Sequence, residues 1–137
     1  MTKAIIFDLD GVIVDTERSV WFNSSVNLLA IYKKKHHEEK VGHLMYGARF
    51  EDATRILYEF YNIQDTFGNF LEQRRKLVLK GFSENVNLME GFEDFYRRLG
   101  KYEKAIATSM DTEFLRLTLN HLLLKSFFGS HIYTIAE

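Results

Sequence analysis

The sequence predicts an α/β fold, an open parallel sheet interrupted after its first strand by a helical insertion. Three observations carry that expectation. Ala4-Ile5-Ile6-Phe7 is continuously apolar and stops at Asp8, which suits a short strand buried on both faces of a parallel sheet. From Thr16 to about Val86 the apolar residues recur at helical spacing, with no strong strand signal. Ala105-Ile106-Ala107 is then a second short apolar strand with helical spacing on either side of it.

Along the chain, a loop from Leu9 to Asp15 leads to Thr16, which can cap a helix carrying Glu17 in its first turn and running through Val20, Trp21, Leu28 and Leu29 toward Tyr32. Lys33 to Lys40 mixes charges of both signs and reads as a solvated turn. Its His36 and His37 are adjacent and share no helix face, which argues against a metal site there. Phe50, Ala53, Ile56, Leu57 and Phe60 form one helical stripe. Phe67, Phe70, Leu71, Arg74, Leu77 and Val78 form another, which Gly81 ends. Phe92, Phe95 and Leu99 mark a short helix closed by Gly100, ahead of the second strand. Asp111 or Thr112 can cap the next helix, with Leu115, Leu119 and Leu122 inward, and His131 to Ile135 reads as a third strand.

Composition bounds the function. A chain of 137 residues is one domain, or one domain with a small insertion, and 46% apolar content with 12 Phe, 7 Tyr and 1 Trp supplies core material enough to argue against disorder. Lys and Arg total 18 against 19 acids, so the net charge of -1 gives no broad field for nucleic acid or a membrane surface. Zero Cys excludes disulfides, a thiolate nucleophile and Cys-ligated metal. The apolar run before Asp8 is far too short for a signal-peptide core or a membrane span, so the expected location is cytoplasmic. Pro is absent as well, which leaves turns to Gly, Asn, Asp and Ser.

In open α/β sheets ligands bind beyond the carboxyl ends of the strands, where Asp8, Asp10 and Thr108 stand. Asp8 and Asp10 lie two residues apart, so in an extended segment both side chains project to one side. Two carboxylates held together repel, which raises the pKa of one unless a cation sits beside them. The pair thus offers an ionised nucleophile or metal ligand and a proton carrier. Gly11 lets the chain turn away sharply, and Thr108 and Ser109 bring hydroxyls and backbone N–H groups suited to phosphoryl oxygens.

Phe7-Asp8-Leu9-Asp10-Gly11-Val12-Ile13-Val14-Asp15-Thr16, directly after an apolar strand, resembles the first motif of the haloacid dehalogenase-like hydrolases. Ala105-Ile106-Ala107-Thr108-Ser109 resembles their second, and the intervening helices match the position of the helical cap in the branch of β-phosphoglucomutase-like phosphatases. The resemblance implies a Rossmann-like three-layer core, residues 1–15 and 87–137, with a helical cap over 16–86. It implies a phosphatase of small phosphorylated metabolites. Asp8 would be the nucleophile that becomes an aspartyl-phosphate, Asp10 the general acid and base, and Thr108 a hydrogen-bond donor to the transferring group. Asp8 through its carboxylate and Asp10 through its backbone carbonyl would hold Mg2+, a hard ion suited to oxygen ligands. Tyr46 and Arg49, in the loop Met45 to Arg49, fall where the cap reaches over the active site and could read the substrate, beside Ser109 and Gly11.

The sequence also departs from the family pattern. The third motif, a Lys, and the fourth, an acidic pair completing the Mg2+ site, are expected after the third strand, and Glu137 comes before either. The expected sheet is therefore incomplete. Its first strand would be an exposed apolar edge prone to self-association, and a truncated, catalytically incomplete or pseudo-enzymatic domain is the alternative reading. Val20 replaces the His usual in the mutase branch, and Glu90 stands where Pro is common.

Overall fold

The computed structural model describes residues 3–134. Ala4–Phe7 forms β1, Glu103–Thr108 β4 and Ile132–Thr134 β5, in a parallel sheet ordered β1-β4-β5. Ile6 pairs with Ala105 and Phe7 with Ile106, while Ala107 pairs with Tyr133. The expected third strand is thus present, though Ile135 lies outside the described residues.

β1 is not buried on both faces. Phe7 packs edge-on against Phe92, Phe95 and Phe128 at centroid distances of 6.0, 6.3 and 5.7 Å. Such pairs contribute about 0.5–1.5 kcal/mol each beyond area burial. Ile106 shares that core with Leu115, Leu119 and Leu124. On the opposite face Ile6 is 69% and Tyr133 56% exposed. Among the described residues three helices of the chain's last third, α5 (Phe92–Arg98), α6 (Thr112–His121) and α7 (Lys125–Phe128), bury their apolar sides with Phe7 and Ile106, so one helical layer covers one side of the sheet.

Between β1 and β4 the chain makes a two-stranded antiparallel ribbon, β2 (Val14–Asp15) with β3 (Asn87–Leu88). The outgoing and returning chains therefore meet where the helical stretch begins and ends. That stretch holds a π-helical turn (Glu17–Phe22), α1 (Asn23–Ile31), α2 (Glu38–Met45), α3 (Phe50–Phe60) and α4 (Phe67–Glu84). Leu28, Leu29, Val41, Leu57 and Phe70 give it a core of its own.

Three local expectations are corrected. Lys33 to Lys40 is not simply a turn, because Glu38 opens α2. Gly81 does not end α4, which continues to Glu84. It lies buried inside the helix, where a Cβ would stand 2.9 Å from Val20 Cγ1, so the missing side chain permits α4 to approach the π-helical turn closely. Thr16 precedes that turn but makes no side-chain cap bond. His36 packs its ring on Phe22 at 5.5 Å and places Nε2 2.7 Å from Glu38 Oε2.

Candidate active site

Beyond the carboxyl end of β1 the chain folds back at once. The Leu9 carbonyl accepts hydrogen bonds from the backbone N–H groups of Val12, Ile13 and Val14, and the Gly11 N–H donates to the Val14 carbonyl at 2.8 Å. Gly11 sits at φ 71°, a left-handed conformation costly to any residue with a Cβ. Leu9 is fully buried, so its neighbours on either side, Asp8 and Asp10, turn toward the opposite side, where both line one cavity of about 940 Å3.

The two acids differ in environment. Asp8 is exposed, and its Oδ1 accepts a hydrogen bond from the Leu9 N–H at 2.7 Å. Asp10 is half-buried, and its Oδ1 accepts one from the Thr16 hydroxyl. Burial raises the Asp10 pKa above the ordinary carboxylate value. Thr16 and the Trp21 side chain oppose that rise, and the Asp8 charge adds to it. The sequence pattern thus resolves into an exposed carboxylate beside one biased toward its protonated form.

The other candidates divide. Ser109 lines the cavity at the carboxyl end of β4, with Met110 and Asp111 beside it, and Thr134 Oγ1 donates to the Met110 carbonyl at 3.1 Å, tying that loop to β5. Thr108 is only 6% exposed and does not line the cavity, and its Oγ1 accepts from the Met110 N–H at 3.1 Å. Gly11 shapes the turn from outside the lining. Tyr46 and Arg49 reach the cavity from the loop between α2 and α3, and both are exposed.

Sequence reasoning missed Glu17, Arg18, Glu38, Arg74 and Asp111 as cavity residues. Glu17 and Arg18 follow the first motif directly and could have been suspected. Arg74 falls in sequence on the apolar stripe of α4, and its burial, not its identity, marks it. Burial and the charges of Glu38, Asp10 and Asp15 raise the Glu17 pKa. The acids on the cavity therefore outnumber the cationic side chains Arg18, Arg49 and Arg74.

That excess bears on Mg2+. A phosphorylated ligand approaching Asp8 meets like charge, which a divalent ion offsets, and the hard oxygens of Asp8 and Asp10 are donors of the kind Mg2+ takes. Mg2+ sites commonly use one or two carboxylates, with water and substrate phosphate completing the shell. The residues present fit the ion. Among the described residues no group of three or more His, Cys, Asp or Glu gathers into a site holding it by protein alone, and no helix is long and apolar enough to cross a membrane.

A family model described as haloacid dehalogenase-like hydrolase matches residues 5–136. A phosphorylated carbohydrates phosphatase of Thermotoga maritima is 27% identical over 135 residues, covering 96% of this chain and 61% of the relative. A Drosophila melanogaster protein described as a "probable pseudouridine-5'-phosphatase" is 28% identical over 130 residues, 93% of this chain and 55% of the relative. A hydrolase from Deinococcus radiodurans, solved with bound phosphate and sodium, superposes with a TM-score of 0.75 at 23% identity, covering 98% of this chain and 58% of that one, a likeness of fold. The chain spans about three-fifths of the length of the relatives it matches.

Proposed function

As the chain belongs to the haloacid dehalogenase-like hydrolase family, we propose that its cavity serves the hydrolysis of a small phosphorylated metabolite, with a phosphorylated carbohydrate as the leading substrate class. The observation that carries this reading is the unequal pair of carboxylates on one cavity wall, Asp8 exposed and Asp10 half-buried with a raised pKa. The identified Thermotoga maritima relative acts on phosphorylated carbohydrates, which supports the substrate class.

In the proposed reaction an Asp8 carboxylate oxygen bonds to phosphorus as the bond from phosphorus to the leaving oxygen breaks. Asp10, protonated, gives its proton to that leaving oxygen. Asp10, now ionised, takes a proton from water as the water oxygen attacks phosphorus, the acyl-phosphate bond breaks, and Asp8 regains its carboxylate as inorganic phosphate leaves. Mg2+, held through Asp8 and Asp10, would supply charge compensation between the nucleophile and the phosphoryl oxygens. Ser109, at the cavity end of β4, would orient those oxygens through its hydroxyl and backbone N–H, and Thr108, whose hydroxyl accepts from the Met110 N–H, would hold that loop in position. Haloacid dehalogenation is disfavoured, since displacing a halide needs no proton carrier at Asp10.

A catalytically incomplete domain that binds phosphorylated ligands is the second reading. It is favoured by the placement of the cavity's cationic side chains, since Arg18, Arg49 and Arg74 all belong to the helical stretch rather than to the loops after β4 and β5. Phosphate release from a panel of sugar phosphates, with Mg2+ and with chelator, separates the two. The first reading expects Mg2+-dependent release that Asp8→Asn abolishes without loss of fold by circular dichroism. Release that persists undiminished in Asp8→Asn would overturn it.

A further inference from the structure

Helix α4 buries Phe70, Val78, Gly81 and Phe82, residues that are apolar or lack a side chain, and in the same buried set it carries Arg74, which is 3% exposed on the cavity wall. Its neighbour Arg75 has a counter-charge, Glu113 Oε2, at 2.6 Å. Arg74 has none among the described residues. Its Nη1 donates to Thr54 Oγ1 at 2.9 Å, a neutral acceptor whose own proton goes to the Phe50 carbonyl. The guanidinium carbon stands 5.4 Å from the centroid of the Phe50 ring, and Nε is buried with no hydrogen-bond partner.

Burial lowers the Arg74 pKa to about 10, so the group is still a cation at neutral pH. A buried charge without a partner is strongly disfavoured, and an aromatic face and one hydroxyl offset only part of that cost. The unused Nε donor and the missing counter-charge call for the same thing, an anion beside the side chain. Phe50 packs on Phe114 at 5.3 Å and Phe114 on Trp21 at 5.8 Å, and Trp21 adjoins Asp10. Arg74 and the Asp8–Asp10 pair are thus joined along one aromatic wall, with Arg74 at the helical end.

We propose that Arg74 is a specificity-determining residue which takes a second anionic group of the substrate, a carboxylate or a second phosphate, while the first phosphoryl group faces Asp8. This inference rests on the proposed phosphatase reading and narrows its substrate class to metabolites that carry a second anionic group besides the phosphate to be released. A guanidinium fork suits either anion, because both accept two parallel N–H donors.

The test is a set of binding isotherms on the 137-residue chain with Mg2+, using three phosphonates that cannot be hydrolysed. Propylphosphonate carries one anionic end, whereas 3-phosphonopropionate and propane-1,3-diylbisphosphonate carry two. We expect at least one of the two-ended probes to bind roughly tenfold to a hundredfold tighter than propylphosphonate, the range for a charge-assisted hydrogen bond to a buried group. Which one does so tells whether the second anion is a carboxylate or a phosphate. In Arg74→Met the ratio falls to about one. Should that variant fail to fold, the Arg74 Nε–H resonance of the unmutated chain, assigned by its loss in Arg74→Lys, decides. It moves with a two-ended probe and stays with propylphosphonate if the assignment is right, and its indifference to both overturns it. Equal affinities for all three probes, or a preference that survives Arg74→Met, overturn the role of Arg74 while leaving the phosphatase reading intact. Failure of every probe to bind overturns both.

Discussion

The Thr16 hydroxyl donates its hydrogen bond to Asp10 Oδ1, across the start of the π-helical turn, while its oxygen accepts none from the backbone N–H groups that a capping Thr satisfies. A residue expected to serve the helix serves the carboxylate. That bond stabilises the ionised form and opposes the rise that burial imposes on Asp10. Thr16→Val keeps the shape and removes the donor, so the Asp10 pKa climbs further. If Asp10 protonates the leaving group, the alkaline limb of the kcat/KM profile moves to higher pH in Thr16→Val. A pH–rate comparison of the two proteins checks this, and an unmoved limb would remove Asp10 as the acid.

The same carboxyl links stability to pH. Its folded pKa lies above the unfolded value, so the folded state holds the proton more tightly. Its stabilising contribution is complete below the unfolded Asp value, about 3.9, and is lost as pH rises through the raised folded value. Asp10→Asn cannot lose a proton and still accepts from Thr16. Its thermal midpoint should exceed the parent's by a few degrees at pH 7, and the gap should close toward pH 3. Thermal unfolding across that range measures both.

Much of this was legible in the sequence, and the gaps have physical causes. The Asp8–Asp10 pair, the strand Ala4–Phe7, the apolar centre Ala105 to Ala107 of the strand Glu103–Thr108, and the stripes of α3 and α4 all follow from local patterns of apolar and acidic residues. The ribbon Val14–Asp15 with Asn87–Leu88 was not legible, because two-residue strands leave no periodicity and their pairing is made far along the chain. α2 was hidden by its charged start and by Gly42 in its middle. Thr108 shows the opposite limit. The apolar run Ala105 to Ala107 before it marks it as a strand end, but only the fold shows its hydroxyl engaged with Met110 and set behind the cavity wall. Arg74 reads as an amphipathic helix position until its burial without a counter-charge is seen.

Gly81 tests how closely α4 packs on the π-helical turn. In an ordinary helix Gly→Ala gains about 1 kcal/mol from propensity. Here the added methyl would lie 2.9 Å from Val20 Cγ1, and Val20 is itself buried and stiff at χ1. Overpacking of this kind costs about 1–3 kcal/mol. Gly81→Ala should therefore lose about 1 kcal/mol in urea unfolding. Val20→Ala, destabilising alone, should recover part of that loss in the double variant, a coupling that distant sites would not show.

The sheet offers the last prediction. β1 lies at one edge of the order β1-β4-β5, so one side of its backbone has no strand beside it among the described residues. The face that carries Ile6 also carries Ala105, Ala107 and Tyr133, apolar residues brought together by the register Ile6 to Ala105 and Ala107 to Tyr133. An unpaired apolar edge next to an open apolar face is a template for pairing with another chain. The purified 137-residue chain should accordingly elute above its monomer mass of 16.2 kDa in size-exclusion chromatography, and increasingly so with concentration. Ile6→Lys places a charge in the middle of that face without touching Phe7 or its aromatic partners on the other side, and it should return the chain toward the monomer with little change in unfolding midpoint. A parent chain that runs as a monomer at all concentrations would show that the edge and face do not drive association. An Ile6→Lys variant that unfolds would show instead that Ile6 is held within the fold, and that its face is covered in solution.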